Sequence, residues 1–238
     1  MAGVPDPSSD GAGEQSRRLS EQLGVDIDPG LLQLALTHRS FAYEHGGIPH
    51  NERLEFLGDS VLGQAVTVML YTTHPDLDEG SLAKRRASVV STLALAEVAR
   101  GIGLGAYILL GKGEERTGGR DKDSILADTM EAVFGATFLS AGPETATSLV
   151  LRLVEPLLAD PERYGAAMDP KTALQELAAR LGIGAPVYDV VSTGPDHDRR
   201  FTATVAAGEH RADGTGTSKK TAEMAAALSA WHALSDRG

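Results

Sequence analysis

One stretch of this chain decides its fold: Asn51-Glu52-Arg53-Leu54-Glu55-Phe56-Leu57-Gly58-Asp59-Ser60-Val61-Leu62. As an α-helix, which turns about 100° per residue, it places Glu52, Glu55 and Asp59 within an arc of about 60°. The leucine and valine side chains of the stretch fall on the opposite side, where a core would lie. Three carboxylates on one side of a helix repel each other. The stripe therefore needs cations, and a multivalent metal ion would supply the charge.

A second pair of acids lies in a later stretch, residues 124–139, which is apolar nearly all round. Such a helix is normally buried. Asp128 and Glu131 are its only charged residues, and their i, i+3 spacing puts them on one face. A buried carboxylate without a partner costs several kcal/mol. This pair also requires a compensating cation, and no basic residue within the stretch can provide it.

Together, the two stretches predict one site that is built from hard oxygen donors. Neither stretch contains His or Cys, so Mg²⁺ or Mn²⁺ is favoured over zinc. A divalent ion held by carboxylates and acting on an anionic substrate indicates phosphoryl chemistry.

Simpler interpretations exist for each acid taken alone. A pair of glutamates on a helix is usually a solvated face, and a single Asp at a helix start is usually a cap. These explanations weaken because two otherwise apolar helices both carry paired acids, and unpaired buried charge is rare.

The composition places limits on the kind of protein. The 238 residues include no cysteine, which excludes disulfides and thiolate metal sites. No uncharged run is long enough to cross a membrane and the start does not resemble a signal peptide, so we expect a cytoplasmic protein. The net charge of −11 argues against binding to nucleic acid. Metal ions bound to the acidic stripe would offset part of it.

The pattern along the chain predicts two domains. Residues 1–15 are rich in Gly, Pro, Ser and Asp and predict a disordered tail. Residues 16–159 predict a helical catalytic domain, 160–169 a linker, and 170–238 a smaller domain. The expected helices of the first domain are 30–38, 51–72, 81–101, 124–141 and 143–158.

The smaller domain has a different pattern of apolar and polar residues. Alternation of apolar and polar residues predicts strands at 186–192 and 199–206 and a weaker strand at 209–213. Residues 214–216 are expected to be a loop. Helices are expected at 171–181 and from the cap Ser218 to about residue 234. The order is α-β-β-β-α.

The quoted stretch resembles the signature motif of the ribonuclease III family, and residues 124–132 resemble that family's second acidic helix. The resemblance extends from about Leu19 to the C-terminus. It implies a mainly α catalytic domain with a ribonuclease III-like helical bundle, followed by a small α+β domain with the double-stranded RNA-binding fold.

The resemblance also implies roles for the acids. Glu55, Asp128 and Glu131 would bind Mg²⁺, and Mn²⁺ would be able to substitute for it. Asp59 would be catalytic together with Glu131. Glu52 and Glu79 would be supporting acids in the groove that holds the catalytic site. Glu79 has an alternative role, because an acid at a helix start also favours the helix dipole.

Phe56 suggests an interface, because on the helical wheel it lies beside the carboxylates and away from the core leucines. A large aromatic residue off the core face often marks a contact surface, although it could also pack under a neighbouring loop. The family resemblance implies a homodimer in which Phe56 enters the partner. Two sites related by a twofold axis would each cut one strand of a duplex.

The smaller domain is similar to a double-stranded RNA-binding domain, on the evidence of Gly214-Thr215-Gly216-Thr217-Ser218-Lys219-Lys220-Thr221-Ala222-Glu223. Lys219 and Lys220 would face phosphates. Contacts implied by the family are Thr172, Gln175 and Glu176 for 2′-hydroxyls, and His197 for a second minor groove. The acid at Glu223, and the acids on either side of His197, depart from a basic surface and predict modest, salt-sensitive binding.

The function implied by the resemblance is Mg²⁺-dependent cleavage of double-stranded RNA, leaving 5′-phosphate and 3′-hydroxyl ends with staggered cuts. Expected substrates are precursors of ribosomal, messenger and transfer RNA. A duplex-RNA binder without activity is the main alternative, but a repulsive acidic cluster would give it no benefit. A helical scaffold with acid-lined faces would not explain the second domain.

Overall fold

The computed structural model describes residues 7–158, 166, 169–194 and 199–235. The chain divides into two compact units, Met1–Asp160 and Pro161–Gly238. The expected linker at 160–169 lies almost entirely outside the described residues, and the finer domain boundaries stay predictions.

The first unit is built from helices. Its α-helices are α1 (Pro7–Leu23), α2 (Pro29–Ala35), α3 (Arg39–Glu44), α4 (Glu52–Thr73), α5 (Glu79–Val89), α6 (Thr92–Gly101), α7 (Lys112–Arg116) and α8 (Asp123–Leu158). Short 3₁₀ turns lie at Leu104–Ala106 and Gly119–Asp121. The core surrounds the first half of α8, where Met130, Val133 and Phe134 are fully buried.

The long helix α8 contains a sharp change of direction at Gly142. This residue has a φ of 86°, and Pro143 follows it. A positive φ suits glycine because it has no Cβ, and proline readily begins the next helical segment. The predicted pair of segments, 124–141 and 143–158, is therefore confirmed.

The predicted single helix at 81–101 is wrong, because the structure contains two helices there. The side chain of Ser91 accepts a hydrogen bond from the backbone N–H of Ala94 at 3.3 Å and so caps α6. A serine cap favours a new helix start. The apolar periodicity on both sides of Ser91 hid this break.

The expected disordered tail differs from the structure over residues 7–15, which belong to α1. The later part of this helix buries Ser16, Leu19 and Leu23 against the rest of the unit. Their spacing forms one face of a helix, and the helix continues back from this anchored part to Pro7. Composition alone did not reveal that continuation.

Helices α4 and α8 approach each other closely where they cross, and two glycines lie at the crossing. A Cβ atom at Gly58 would overlap the backbone carbonyl of Glu131. In the same way, a Cβ atom at Gly135 would overlap the backbone carbonyl of Leu54. The two backbones are therefore in direct contact, which only glycine permits.

The second unit has the predicted α-β-β-β-α order. It consists of α9 (Pro170–Arg180), β1 (Val187–Thr193), β2 (Arg200–Ala207), β3 (His210–Gly216) and α10 (Lys219–Ser235). The strands form an antiparallel sheet in the order β1-β2-β3. Leu174, Val205 and Trp231 belong to its core.

The expected loop at residues 214–216 is wrong, because these residues complete β3. Gly214 pairs with Ala203, and Gly216 pairs with Phe201. A Cβ atom at Gly214 would overlap the backbone of α10 near Ala226. The glycines therefore allow the strand to lie against the helix. In the sequence alone, the same glycines look like a turn, which explains the wrong prediction.

Among the residues described, we find no helix with the length and apolar character that a membrane span requires.

The crossing of α4 and α8 predicts a steric effect on stability. Gly58→Ala should lower the free energy of unfolding by about 1–3 kcal/mol or more, because its methyl group would overlap backbone atoms that cannot rotate away. Gly101→Ala is the control, since nothing lies within 4 Å of its added Cβ. This control should change the free energy by less than about 1 kcal/mol. Urea unfolding followed by circular dichroism would measure both, and equal effects would contradict the close crossing.

Candidate active site

The acids predicted from the sequence come together where α4 and α8 cross. α4 carries Glu55 three residues before Gly58, and α8 carries Asp128 and Glu131 before Gly135. Since the backbones are in contact at these glycines, short carboxylate side chains from both helices reach the same space.

Three of the acids form a tight group. Glu55, Asp128 and Glu131 are each half-buried, and each offers one carboxylate oxygen such that the three oxygens lie within 4.8 Å of one another. Residues 76 positions apart in the sequence (Glu55 and Glu131) thus share one site. Such close carboxylates are stable together only if protons or cations reduce their repulsion.

The pKa values of all three acids are raised. The pKa of Glu131 is raised to about 8, mainly by burial and then by the negative charges of Asp59, Asp128 and Glu55 in that order. Burial also raises the pKa of Glu55, with Asp128 as the next cause. The pKa of Asp128 is raised mainly by burial. A bound cation would offset the repulsion and favour the ionised form of all three carboxylates.

The donor set fits a hard divalent cation. All three groups offer carboxylate oxygens, the ligands that Mg²⁺ and similar ions prefer. Cysteine is absent from the sequence, and no histidine belongs to this group of described residues. A soft or borderline metal would find less suitable ligands here.

Asp59 lies beside the group, at the edge of an open groove. Its side chain is exposed, and its charge contributes to the raised pKa values of both Glu131 and Glu55. The groove has a volume of about 590 Å³. It is lined by Asp59, Ser60, Gly63, Gln64, Thr67, Val68, Arg86 and Val90. Asp59 therefore lies close enough to the acids to affect their pKa values, and it also lines the groove.

Glu52 shares the first turn of α4 with Glu55, and it has a cationic neighbour that sequence reasoning missed. Arg39 Nη1 lies 3.5 Å from Glu52 Oε1. The positive charge of Arg39 also lowers the pKa values of Glu55 and Asp128, against the larger effect of burial. Arg39 begins the short helix α3, and no spacing within the sequence links it to α4.

The structure does not place Glu79 in the group of three acids. Glu79 is exposed in the first turn of α5, directly after Asp78. Asp78 caps this helix by accepting the N–H of Ser81 at 2.7 Å. Its position agrees with the alternative of a favourable charge at a helix start.

Phe56 is exposed rather than packed under a loop. Its side chain is 80% exposed on α4. Val68 and Tyr71, three to four helical turns along, are also exposed. Their spacing puts all three on one side of the helix. We call this set of three residues the α4 apolar stripe.

The second unit presents most of the predicted RNA contacts on its surface. Thr172, Gln175 and Glu176 are exposed on α9, and Lys219 and Lys220 are exposed at the start of α10. Ser218 caps α10 by accepting the N–H of Thr221 at 3.1 Å, as predicted. His197 lies outside the described residues.

Comparisons with known proteins agree with this architecture. Residues 28–157 match the family model described as Ribonuclease-III-like, and residues 170–234 match the model of the double-stranded RNA binding motif. The chain is 70% identical to Ribonuclease 3 of Leifsonia xyli subsp. xyli, covering 94% of this chain and 96% of the relative. It is 60% identical to Ribonuclease 3 of Nocardia farcinica, covering 94% and 95%.

A solved structure supports the same assignment for the first unit. The nuclease domain of ribonuclease III from Campylobacter jejuni is 42% identical, with a TM-score of 0.55, and the match covers 58% of this chain and 95% of that domain. Family models for both units, close relatives along nearly the whole chain and a shared nuclease fold all lead to one conclusion. The chain belongs to the ribonuclease III family and joins a helical nuclease domain to a double-stranded RNA-binding domain.

Proposed function

We propose that this chain is a Mg²⁺-dependent endoribonuclease that cleaves both strands of double-stranded RNA. The observation that carries the proposal is the meeting of Glu55, Asp128 and Glu131 across two helices, in a chain of this family. Mn²⁺ offers the same hard-cation chemistry and would substitute for Mg²⁺.

Each acid has a proposed role. Glu55, Asp128 and Glu131 hold the metal, which when bound would polarise the phosphate and activate water. Asp59 and Glu131 act in the chemistry itself, since Asp59 faces the groove next to the group. Glu52 and Glu79 are supporting acids, and Arg39 limits the repulsion around Glu52.

The α4 apolar stripe supports the proposal of a homodimer. Exposed aromatic residues on one helix face are typical of a contact surface. The Campylobacter nuclease domain is described as having a region involved in dimer formation. A twofold axis would supply two sites, so that each strand of a duplex is cut once. The products would be staggered ends that carry 5′-phosphate and 3′-hydroxyl groups.

The second unit would hold the duplex. Thr172, Gln175 and Glu176 suit the 2′-hydroxyls of the wide minor groove, and His197 would reach a second minor groove. Lys219 and Lys220 would contact phosphates. This mode reads the shape of the duplex more than its sequence. We propose structured precursors of ribosomal, messenger and transfer RNA as substrates, and the cytoplasm as the place of action.

Replacement of Glu131 tests the metal-dependent chemistry. Wild-type protein should cleave a long perfect RNA duplex with Mg²⁺ and not with EDTA. Glu131→Gln should lower the rate by at least about 100-fold, because the amide cannot serve as an anionic ligand or accept a proton. Binding of the duplex, measured by filter retention in EDTA, should remain.

Glu155→Gln is the matched control for this experiment. It makes the same change on the same helix, at an exposed position far along α8 from the group of acids. Its cleavage rate should equal that of wild type. Cleavage by Glu131→Gln at the wild-type rate would remove Glu131 from the mechanism.

The raised pKa of Glu131 predicts how the metal-free protein responds to pH. The ordinary pKa of Glu is 4.5, and the folded value here is about 8. Between these values the folded protein keeps a proton that the unfolded chain releases, so the free energy of unfolding falls as pH rises toward 8. In EDTA, the melting temperature of wild type should therefore fall below that of Glu131→Gln as pH rises.

The comparison isolates Glu131 because Glu55 and Asp128 are present in both proteins. The two melting temperatures should converge as pH falls below 4.5, where Glu131 becomes protonated in the unfolded state as well as in the folded state. Added Mg²⁺ should raise the melting temperature of wild type more than that of the variant. Parallel pH curves for the two proteins would contradict the raised pKa.

The homodimer makes a separate prediction about Phe56. Phe56→Ala should raise the dissociation constant of the dimer by about thirtyfold, the effect of losing a central aromatic contact. Analytical ultracentrifugation over a concentration series would measure it. Tyr43→Ala is the control, since Tyr43 is 87% exposed but belongs to a different helix, α3. Identical dissociation constants for wild type and Phe56→Ala would exclude this face as the dimer interface.

A further inference from the structure

An acid lies among the lysines at the start of α10, on the surface proposed for phosphate binding. Lys219 and Lys220 are exposed there, whereas the side chain of Glu223 is only 13% exposed. The sequence predicts that this acid weakens RNA binding. The structure instead turns its carboxylate inward, toward α9.

Both carboxylate oxygens of Glu223 face a lysine. Lys171 Nζ donates to Glu223 Oε2 at 2.7 Å, and this bond joins α9 to α10. Lys219 Nζ lies 3.9 Å from Glu223 Oε1, one helical turn earlier on α10. The negative charge of Glu223 is therefore balanced by lysines, and it links the starts of two helices.

Lys171 is held from a second side by an aromatic ring. Its Nζ lies 4.7 Å from the ring centroid of Tyr188 on β1, a cation–π distance. The Lys171 side chain is nevertheless 43% exposed. An ammonium group has three N–H donors, and Glu223 accepts one of them, so donors remain for a ligand from the solvent side.

The surroundings of Lys171 belong to the same surface. Thr172, one of the proposed contacts to the 2′-hydroxyls, is the next residue in α9. Asp169 caps this helix, and its hydrogen bond from Thr172 is the main cause of its lowered pKa. The charges of Lys171 and Lys220 lower that pKa further, which places lysines of both helices near one point.

We propose that Lys171 is a third phosphate-binding lysine of this unit, and that Glu223 is a positioning residue that holds Lys171 and Lys219 in place. The inference rests on the proposed function, because it concerns how the second unit grips duplex RNA. A free lysine side chain loses about 2 kcal/mol of rotamer entropy when it is fixed. Glu223 and Tyr188 fix Lys171 before RNA arrives, so less of this cost falls on binding.

The proposal predicts an effect opposite in sign to simple charge repulsion. Removal of a negative charge near a polyanion should strengthen binding if Glu223 only repels phosphate. If Glu223 positions the lysines, Glu223→Gln should weaken binding although the protein becomes more positive.

The experiment measures binding of the full chain in EDTA to a perfect RNA duplex longer than the roughly 16 base pairs that one such domain spans. Glu223→Gln and Lys171→Met should each weaken binding by about three- to tenfold, and Lys171→Met should lower the salt slope by about one. In the double variant, Glu223→Gln should add less than about a further twofold to the effect of Lys171→Met, since it acts mainly through that lysine. Lys171→Arg, which keeps the charge, should retain most of the binding.

Glu209→Gln provides the matched control. It removes the same charge from an exposed residue in the turn between β2 and β3, and it should leave the affinity unchanged or slightly higher. Equal or tighter binding by Glu223→Gln would overturn the proposal, as would effects that multiply fully in the double variant. A fall in melting temperature with an unchanged salt slope for Lys171→Met would overturn it too, since the ion pair would then be structural only.

The controls also separate this inference from the proposed function. If wild type binds and cleaves the duplex while Glu223→Gln binds equally well, only the positioning role fails. If wild type does not bind the duplex, the proposed function fails and this inference fails with it.

Discussion

The contact between the backbones of α4 and α8 is the constraint on which the rest of the first unit depends. Gly58 and Gly135 remove the side chains that would keep these helices apart. Carboxylates have short side chains, so they can share a cation only if their backbones lie close together. The close packing at the two glycines is therefore what allows the three acids to meet.

Local patterns of the sequence predicted the elements that depend on local interactions. The buried face of α8, the break at Gly142 and the alternation of β2 follow from periodicity and backbone preference. The acids of the site were also predictable, because an acid in an otherwise apolar helix needs a reason. The break at Ser91 was missed because a serine cap and a solvated serine look alike in a sequence.

Contacts between distant segments were harder to predict. Arg39 and Glu52 lie on different helices, and no periodic pattern connects them. The same is true of Lys171 and Glu223, which are 52 positions apart and meet only after the second unit folds. Glu223 seemed unfavourable when its charge was counted alone. A prediction from the net charge of −11 is limited in the same way, because the total does not show which acids are paired or turned inward.

The group of three acids consists of carboxylates alone, and this has a consequence for its resistance to oxidation. Thiolate ligands are lost when they are oxidised, but this chain contains no cysteine, and carboxylates do not react in this way. The sulfur atom nearest to these acids in the sequence belongs to Met130, and this side chain is fully buried. Peroxide in the surroundings would therefore leave these three carboxylates unchanged.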